Sequence, residues 1–358
     1  MSADHRVKTR GTGAQPANRF HRQRIETASD EWPLDPDDDL VPDSLATQVD
    51  DEKVRTIIST NQSPDVPFEQ SINPYRGCEH GCIYCFARPT HAYWDFSPGL
   101  DFETRLIAKT GAADRLREAF DKPGYRCKPI ALGMNTDAYQ PLEKQRRITR
   151  ELLEVMRDYR HPVTIITKGG LILRDLDLLA ELAADGLCSV SVSLTTLDND
   201  LKRRLEPRAA SPATRLKVVR ELTAAGVPTS VLLAPMIPFI NDAEMEALLE
   251  AAVGAGAQQA GWILLRLPLE IAELFEDWLQ RHYPDRAEHV MARIRDMRGG
   301  KVYEGAFGKR MRGQGVYADL LSQRFKRACR QLGLNQIEPP ALRTDVFRRW
   351  GGGQLDLI

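Results

Sequence analysis

Three cysteines lie close together and are the side chains best suited to chemistry in this sequence. The segment reads Cys78-Glu-His-Gly-Cys82-Ile-Tyr-Cys85, a C-x3-C-x2-C spacing. Thiolates at this spacing can bind three irons of a [4Fe–4S] cluster and leave the fourth iron without a protein ligand. An open coordination position distinguishes catalytic metal sites from closed structural ones. The spacing therefore predicts an iron–sulfur centre with one iron available to another molecule.

Two other interpretations of these cysteines stay open at this point. A zinc site needs four ligands, and His80 or His91 could supply the fourth. Buried structural thiols without a metal are the other interpretation. Zinc sites usually combine two pairs of ligands, and no second pair is visible in the sequence, so the iron–sulfur prediction is favoured. A zinc or iron–sulfur module that binds nucleic acid without catalysis is the alternative to an enzyme.

The wider segment, SINPYRGCEHGCIYCFAR, resembles the radical S-adenosylmethionine (SAM) superfamily, whose signature is C-x3-C-x-aromatic-C. Cys78, Cys82, Tyr84 and Cys85 match this signature. Over most of its length the chain is similar to the branch that contains spore photoproduct lyase and its bacterial relatives. The resemblance implies that the three cysteines hold the cluster, that SAM binds its open iron, and that SAM is cleaved reductively to abstract a hydrogen atom from a substrate. It also implies an electron donor such as flavodoxin or ferredoxin.

Length and composition fit one large α/β domain with appendages. The 358 residues include 49 Lys and Arg against 50 Asp and Glu, so the net charge is near zero. No run of about eighteen apolar residues predicts a membrane span, and the polar N-terminus lacks the apolar region of a signal peptide. Cys127, Cys188 and Cys329 are scattered and are predicted to pack in the core. We therefore expect a cytoplasmic protein, because reducing conditions preserve free thiols and an oxygen-sensitive cluster.

Three regions are predicted along the chain. Residues 1–65 hold a basic block and then an acidic, Pro-rich block with little apolar periodicity, which predicts a poorly ordered tail. The alternative for part of this tail is that RGTGAQPANRF docks on the core with Phe20 as its anchor. Residues 66–268 form the predicted core, and residues 269–358 form a predicted helical, basic extension.

The core region alternates short apolar strands with amphipathic helical segments. The predicted strands are 71–76, 129–134, 163–167, 189–194, 229–234 and 262–267. The predicted helices between and after them include 143–159, 171–184, 212–225 and 243–255. Alternation of this kind indicates a parallel sheet with right-handed crossovers. The fold class is therefore α/β, a partial (β/α)6 TIM-type barrel, which the resemblance also implies, with functional groups at the carboxyl ends of the strands.

Polar side chains at two of these strand ends are candidates for binding SAM. Asn135, Thr136 and Asp137 follow the second strand and suit the SAM ammonium group. Lys168 follows the third strand and suits the SAM carboxylate. The alternatives are a helix N-cap for Thr136 or Asp137 and a solvated side chain for Lys168.

Three more residues complete the predicted SAM site. Serines alternate with apolar residues along the fourth strand, and Ser193, nearest its carboxyl end, is the candidate for the ribose hydroxyls. Arg208 suits a carboxylate, and the resemblance implies that its segment lines the SAM pocket. Tyr84, beside the last thiol, is placed to shield the cluster or pack on a bound cofactor. The alternatives are small polar fillers on the strand and a loop ion pair of Arg208 with Glu206.

One position departs from the resembled branch. In spore photoproduct lyase a cysteine on the second barrel strand returns a hydrogen atom to the repaired base. Here Met134 stands at that position, and the nearest cysteine, Cys127, lies upstream. We therefore expect shared radical generation but a different overall reaction.

The extension after the core carries a cluster of positive charge. Residues 281–330 contain thirteen Lys and Arg against five Asp and Glu, a difference of +8. Tyr303, Phe307, Tyr317 and Phe325 are interleaved with these cations. Cations and aromatic rings together suit a nucleic-acid substrate, and a solvated helical cap over the barrel is the alternative.

Overall fold

The computed structural model of the protein describes residues 9–20, 45–339 and 341–349. The strands of this part of the chain are β1 (Gln48–Lys53), β2 (Ser59–Thr60), β3 (Gln70–Ile72), β4 (Tyr75–Arg76), β5 (Arg105–Thr110), β6 (Ile130–Leu132), β7 (Val163–Thr167), β8 (Cys188–Ser193), β9 (Thr229–Met236) and β10 (Gln259–Leu264). Its α-helices are α1 (Asp101–Thr104), α2 (Ala112–Asp121), α3 (Glu143–Arg146), α4 (Ile148–Asp158), α5 (Leu176–Ala184), α6 (Asn199–Leu205), α7 (Pro212–Ala224), α8 (Met245–Gly254), α9 (Ile271–His282), α10 (Pro284–Asp296) and α11 (Val316–Leu332). Short 3-10 helices occupy Arg88–Trp94, Gly170–Asp175 and Asp242–Glu244. None of the described helices is long and apolar enough to cross a bilayer.

The larger sheet confirms the predicted partial (β/α)6 barrel. Its order is β10-β9-β8-β7-β6-β3-β2, in which neighbours from β3 to β10 are parallel and only β2 runs antiparallel. On β7 and β9, buried residues such as Val163 and Val231 alternate with partly exposed ones such as Thr164 and Ser230. The buried side chains pack beneath the surrounding helices in one core, so the partly exposed ones face the lumen of the barrel.

The predicted first strand, 71–76, divides into β3 and β4. Pro74 lies between them and has no N–H to continue a ladder, and β4 pairs with β5 in a second sheet. The predicted helix 143–159 also divides, because Arg147 adopts a left-handed conformation (φ 55°) between α3 and α4. The buried Glu143 carboxylate accepts a hydrogen bond from the Thr149 amide at 3.1 Å. That carboxylate therefore satisfies an N–H at the start of α4 that the break would leave unpaired.

The second sheet has the order β1-β5-β4 and lies in part within the predicted tail. β1 pairs in parallel with β5, from Gln48 opposite Arg105 to Lys53 opposite Thr110. The sequence of β1, QVDDEK, shows no apolar alternation because the strand is largely exposed, so its pattern did not predict a strand. Residues 1–8 and 21–44 of the predicted tail lie outside the described residues.

Residues 9–20, called the N-terminal segment below, dock on the core. The Arg10 guanidinium donates to the backbone carbonyls of Glu103 and Leu45, each at 2.7 Å, and the Gly11 amide donates to the Glu103 carboxylate at 2.8 Å. Asn18 is buried and donates to the Ala92 carbonyl at 2.9 Å. Phe20 was predicted as the anchor, but its side chain is 53% exposed. Polar groups therefore hold much of this segment, and Ala14, rather than Phe20, packs against the apolar core.

Replacing Gly11 with alanine should detach this segment. A Cβ at Gly11 would overlap the carbonyl oxygen of Gly81, in the loop that carries the cysteines. Because that oxygen belongs to a buried backbone, we expect G11A to lower the free energy of unfolding by about 1–3 kcal/mol. Urea unfolding measures this, with G124A as the control, since a methyl group at Gly124 meets nothing within 4 Å. Equal stabilities of G11A and G124A would contradict the docked position.

Candidate iron–sulfur and SAM site

The loop from residue 77 to residue 85, called the cluster loop below, follows β4 and carries the three cysteines. Cys78 and Cys82 are buried, Cys85 is partly exposed, and all three thiols are free. Gly77 and Gly81 have φ values of 75° and 68°. A Cβ would lie 2.9 Å from the Phe102 carbonyl at Gly77 and 2.6 Å from the Glu103 carboxylate at Gly81. Both positions therefore require glycine for conformation and for space.

Buried polar side chains fix the shape of the cluster loop. Gln140 is fully buried, accepts from the Glu79 amide at 2.8 Å and donates to the Gly77 carbonyl at 3.2 Å. Arg88 is also fully buried and donates to the Cys82 carbonyl at 2.9 Å. Its guanidinium pairs with Glu103 at 2.5 Å, and Glu103 in turn accepts from Gly11. The N-terminal segment is thus joined to the cluster loop through one buried ion pair.

The surroundings of the thiols fit a group that carries positive charge. Burial raises the pKa of Cys78 well above its usual value, and Asp137 and the neighbouring cysteines add to the rise. Burial and Glu206 raise the pKa of Cys82 to about 12. Thiolates in such a place need bound cations, which a metal cluster supplies.

The described residues hold no group of three His, Cys, Asp or Glu side chains that could share one metal ion. Thiolates of a four-iron cluster bind different irons and so need not converge on one point. His80 and His91, which the zinc interpretation would use, make other contacts. His80 Nδ1 lies 3.3 Å from the Asp137 carboxylate, and His91 Nε2 lies 2.9 Å from the Arg105 carbonyl.

Asp137 connects three parts of the site. Its carboxylate accepts from the Thr167 hydroxyl at 2.7 Å, from the Lys168 amide at 2.7 Å and from the Tyr139 amide at 2.8 Å. Burial alone would raise its pKa, but His80 and these donors lower it to about 2. The carboxylate thus ties the end of β7 and the loop after β6 to the cluster loop. A predicted contact with SAM would have to share its oxygens with these protein donors.

We expect Asp137→Asn to destabilise the protein by about 1–3 kcal/mol at pH 7, because several hydrogen bonds to an ionised acceptor are weakened. The folded pKa of about 2 lies below the ordinary 3.8, so the carboxylate stabilises the fold above pH 3.8. That contribution is lost as the pH falls from 3.8 towards 2. Urea unfolding of both proteins at pH 7 and pH 3 tests the prediction. A difference in stability that does not shrink at pH 3 would show that the charge of Asp137 is not involved.

The other predicted SAM residues fall into two groups. The hydroxyls of Thr136 and Ser193 already donate to backbone carbonyls, of Tyr75 at 2.8 Å and of Ala234 at 3.2 Å. Asn135 and Lys168 are partly exposed, and within the described residues neither side chain has a hydrogen bond or an ion pair. Lys168 Nζ lies 5.8 Å from the centre of the Tyr84 ring and acts electrostatically on Cys82. The structure therefore brings Lys168 to the cluster loop with its charge unpaired.

Tyr84 is anchored by a buried ion pair. Its hydroxyl donates to the Glu206 carboxylate, which also accepts from the Thr195 hydroxyl and pairs with Arg215. Arg215 donates further to the Ser193 carbonyl at 3.1 Å. Burial acts to raise the pKa of Glu206, but Arg215 and Lys168 lower it to about 2. The carboxylate is therefore ionised beside Tyr84 and fixes the orientation of its ring.

Arg208 pairs with a different residue than the sequence suggested. Its guanidinium lies 2.9 Å from the Glu79 carboxylate and 3.4 Å from the Thr47 hydroxyl, while Glu206 pairs with Arg215. Arg10 and Arg208 line the same surface groove of about 670 Å³. The structure thus brings Arg208 to the cluster loop through Glu79, not through Glu206.

Several residues that shape the site were missed in the sequence. Asn73 accepts from the Asn135 amide at 2.7 Å and from the Thr136 amide at 3.4 Å, so it sets the turn after β6. Gln140, Arg88, Glu103 and Arg215 act through buried contacts that join distant segments. Asn73 and Arg88 lie within the segment that carries the signature, and this proximity was the local signal available for these two residues.

Comparisons with known proteins agree with this geometry. A family model described as the radical SAM superfamily matches residues 72–252, half of the chain. An uncharacterised protein of Mycobacterium tuberculosis is 38% identical over 234 residues, which cover 65% of this chain and 68% of the relative. An uncharacterised protein of Methanocaldococcus jannaschii is 26% identical over 220 residues, covering 61% and 78%.

A solved structure of a spore photoproduct lyase mutant, with bound AdoMet and dinucleoside spore photoproduct, is similar in fold. Its TM-score is 0.57 at 15% identity, and the match covers 80% of each chain. Radical SAM proteins use a [4Fe–4S] cluster and SAM, and they need an electron donor. The matched region runs from the end of β3 into α8 and contains the cluster loop, so the chain belongs to the radical SAM superfamily and is a radical SAM enzyme.

Proposed function

We propose that this enzyme holds its [4Fe–4S] cluster with Cys78, Cys82 and Cys85 and abstracts a hydrogen atom from a nucleic-acid substrate. The observation that carries the first part is the cluster loop itself, which holds three free thiols and has Lys168 near Cys82 and Tyr84. Three thiols fit the cluster because they leave one iron for SAM. When bound to these cysteines, the reduced cluster would supply the one-electron cleavage of SAM, whose radical product would take a hydrogen atom from the substrate.

The proposed SAM residues divide into those that contact it and those that position the contacts. Lys168 pairs with the SAM carboxylate, because its ammonium group lies unpaired above Tyr84. The Asn135 side chain, which has no hydrogen-bond partner within the described part of the chain, binds the SAM amino group. Thr136, Asp137 and Ser193 hold the strand ends through their own hydrogen bonds. Tyr84 packs against SAM, and Arg208 supports the cluster loop through Glu79.

Loops at the open side of the barrel exclude water from the radical. The edge of β10 is covered by the loop that follows α10, since the Leu264 amide donates to the Met311 carbonyl at 2.9 Å. Across the opening, Asp65 accepts from the Gly308 amide at 2.7 Å and from Arg310 at 2.5 Å. The loop after β2 therefore joins the loop after α10, and the two close the gap between the edge strands. A closed site protects a reactive radical from side reactions.

Some cations of the predicted basic extension bond to the protein itself, and others are exposed and could bind a substrate. Arg298 is buried and donates to three backbone carbonyls, and Arg310 pairs with Asp65. Lys309 is exposed on the loop that closes the barrel, two residues after the exposed Phe307, and Arg310 lies over the Phe307 ring. Exposed cations beside aromatic rings favour a nucleic-acid strand as the substrate.

Isotope transfer tests the proposed reaction. The protein is reconstituted anaerobically with iron and sulfide, reduced, and given SAM with deuterated DNA or RNA oligonucleotides. We expect deoxyadenosine that contains deuterium from the oligonucleotide. If deoxyadenosine forms but never acquires the label, nucleic acid is ruled out as the substrate. If no deoxyadenosine forms at all, reductive cleavage of SAM is ruled out.

Two variants compare the proposed SAM contacts. Lys168→Met should raise the dissociation constant of SAM about 10–100-fold, because it removes a charge-assisted hydrogen bond. Arg208→Met should change it much less, since Arg208 pairs with Glu79. Calorimetric titration of the reconstituted proteins with SAM measures both. If both variants lose the same affinity for SAM, the proposal that Lys168 contacts SAM and Arg208 only supports the cluster loop is wrong.

A further inference from the structure

Arg266 is a partly buried cation at the mouth of the barrel. It lies two residues beyond the carboxyl end of β10. Its guanidinium carbon lies 4.3 Å from the centre of the Phe86 ring, and Phe86 directly follows Cys85. Among the described residues no hydrogen bond or ion pair reaches this guanidinium. The side chain therefore lies beside the cluster loop with its donors unused.

Two neighbouring arginines, in contrast to Arg266, have protein partners. Arg298 donates to the carbonyls of Leu265, Lys309 and Arg310, at 2.7 to 3.1 Å. Arg310 pairs with Asp65 and donates to the Ser63 hydroxyl, each at 2.5 Å. Burial lowers the pKa of Arg266, and the opposing groups, Tyr303, Cys85 and Asp65, act on it only at a distance. A partly desolvated cation of this kind is costly unless an anion binds it.

The groups around Arg266 indicate which class of molecule supplies this anion. Phe86 is 42% exposed and Phe307 is 58% exposed, and each carries an arginine over one ring face. The two rings lie in one region, because Arg298 donates both to the carbonyl of Leu265, next to Arg266, and to the carbonyl of Arg310, whose guanidinium lies over Phe307. A guanidinium flanked by exposed rings can bind a phosphate while the rings stack with bases.

We propose that Arg266 binds a phosphodiester group of the substrate strand and so sets which nucleotide enters the lumen next to the cluster loop. This proposal rests on nucleic acid being the substrate. Arg266 then acts in substrate binding and not in SAM cleavage. Its position at the end of β10 places the bound phosphate at the edge of the barrel, where a strand can pass while one nucleoside turns inwards.

Binding of a fluorescent single-stranded DNA of about 12 nucleotides to the reconstituted enzyme tests the proposal. We compare Arg266→Gln and Arg266→Lys with Arg327→Gln, which removes an exposed charge of α11 from the same basic region. R266Q should weaken binding about 10-fold and lower the slope of log K against log salt by about one, whereas R327Q should change little. R266K should recover part of the affinity, because it keeps the charge without the bidentate geometry. SAM cleavage without DNA and the cluster absorbance should stay unchanged in all three.

These measurements distinguish failure of the Arg266 phosphate site from failure of the nucleic-acid substrate. If the wild type binds DNA and R266Q binds equally well, Arg266 is not the phosphate site, although the nucleic-acid substrate stands. If R266Q shifts the reduction potential of the cluster and leaves DNA affinity unchanged, Arg266 serves the cluster and the proposal is wrong. If the wild type cleaves SAM but binds an acidic peptide in place of DNA, the substrate assignment fails and the proposal for Arg266 fails with it.

Discussion

Replacing Cys78, Cys82 or Cys85 with alanine, one at a time, will leave a folded protein that neither holds a full cluster nor cleaves SAM. Each thiol is one of the three proposed ligands on the cluster loop, and no fourth cysteine lies on that loop to replace it. Loss of a residue that only supports a metal ligand costs about 10–100-fold in metal affinity or activity, so loss of a ligand itself should cost at least about 100-fold. Iron content, visible absorbance and deoxyadenosine production after anaerobic reconstitution measure the effect.

The matched control for these variants is Cys127→Ala. Cys127 is free and partly exposed, and it lies just before β6, away from the cluster loop in sequence. We expect C127A to keep iron, absorbance and SAM cleavage near wild-type levels. A cysteine variant of the cluster loop that cleaves SAM as C127A does would disprove the assigned ligands.

Replacing Arg215 with methionine should be among the most destabilising single changes in this protein. The side chains of Arg215 and Glu206 are 2% and 0% exposed, so removing the cation leaves a buried carboxylate without its charge partner. Breaking a buried pair in this way costs about 3–5 kcal/mol.

Urea unfolding of the protein without cofactors measures this effect, and the double variant R215M/E206Q provides the control. A neutral glutamine removes the unpaired charge, so the double variant should recover part of the stability lost in R215M. If R215M is within about 1 kcal/mol of the wild type, the cost of the unpaired carboxylate has been overestimated. If the double variant is no more stable than R215M, the charge of Glu206 is not the cause.

The sequence predicted the parts of the fold that carry a local signal. The strand Val163–Thr167 was predicted at its observed bounds, because a buried parallel strand is a short apolar run between polar turns. The strand Gln48–Lys53 was not predicted, because its charged residues face solvent and its stability comes from pairing with Arg105–Thr110. No periodicity within residues 48–53 could have revealed a partner more than fifty residues away.

The site shows the same division between local and distant information. The cysteine spacing is local, and it led to the superfamily that the family match confirms. The ion pair of Glu206 with Arg215 depends on a turn that brings α7 back to β8, so Arg208, nearer in sequence, was the more obvious partner. The hydrogen bonds that occupy Asp137 come from β7 and the loop after β6, and they too depend on the closed sheet.

The central claim is that three cysteines leave one iron open and that SAM binds there. Electron–nuclear double resonance on the reduced, reconstituted protein tests it most directly, with SAM isotopically labelled at its amino and carboxylate groups. We expect the cluster spin to couple strongly to both labels in the wild type, and the carboxylate coupling to weaken in Lys168→Met. A fully loaded cluster that shows no coupling to saturating labelled SAM would contradict the claim.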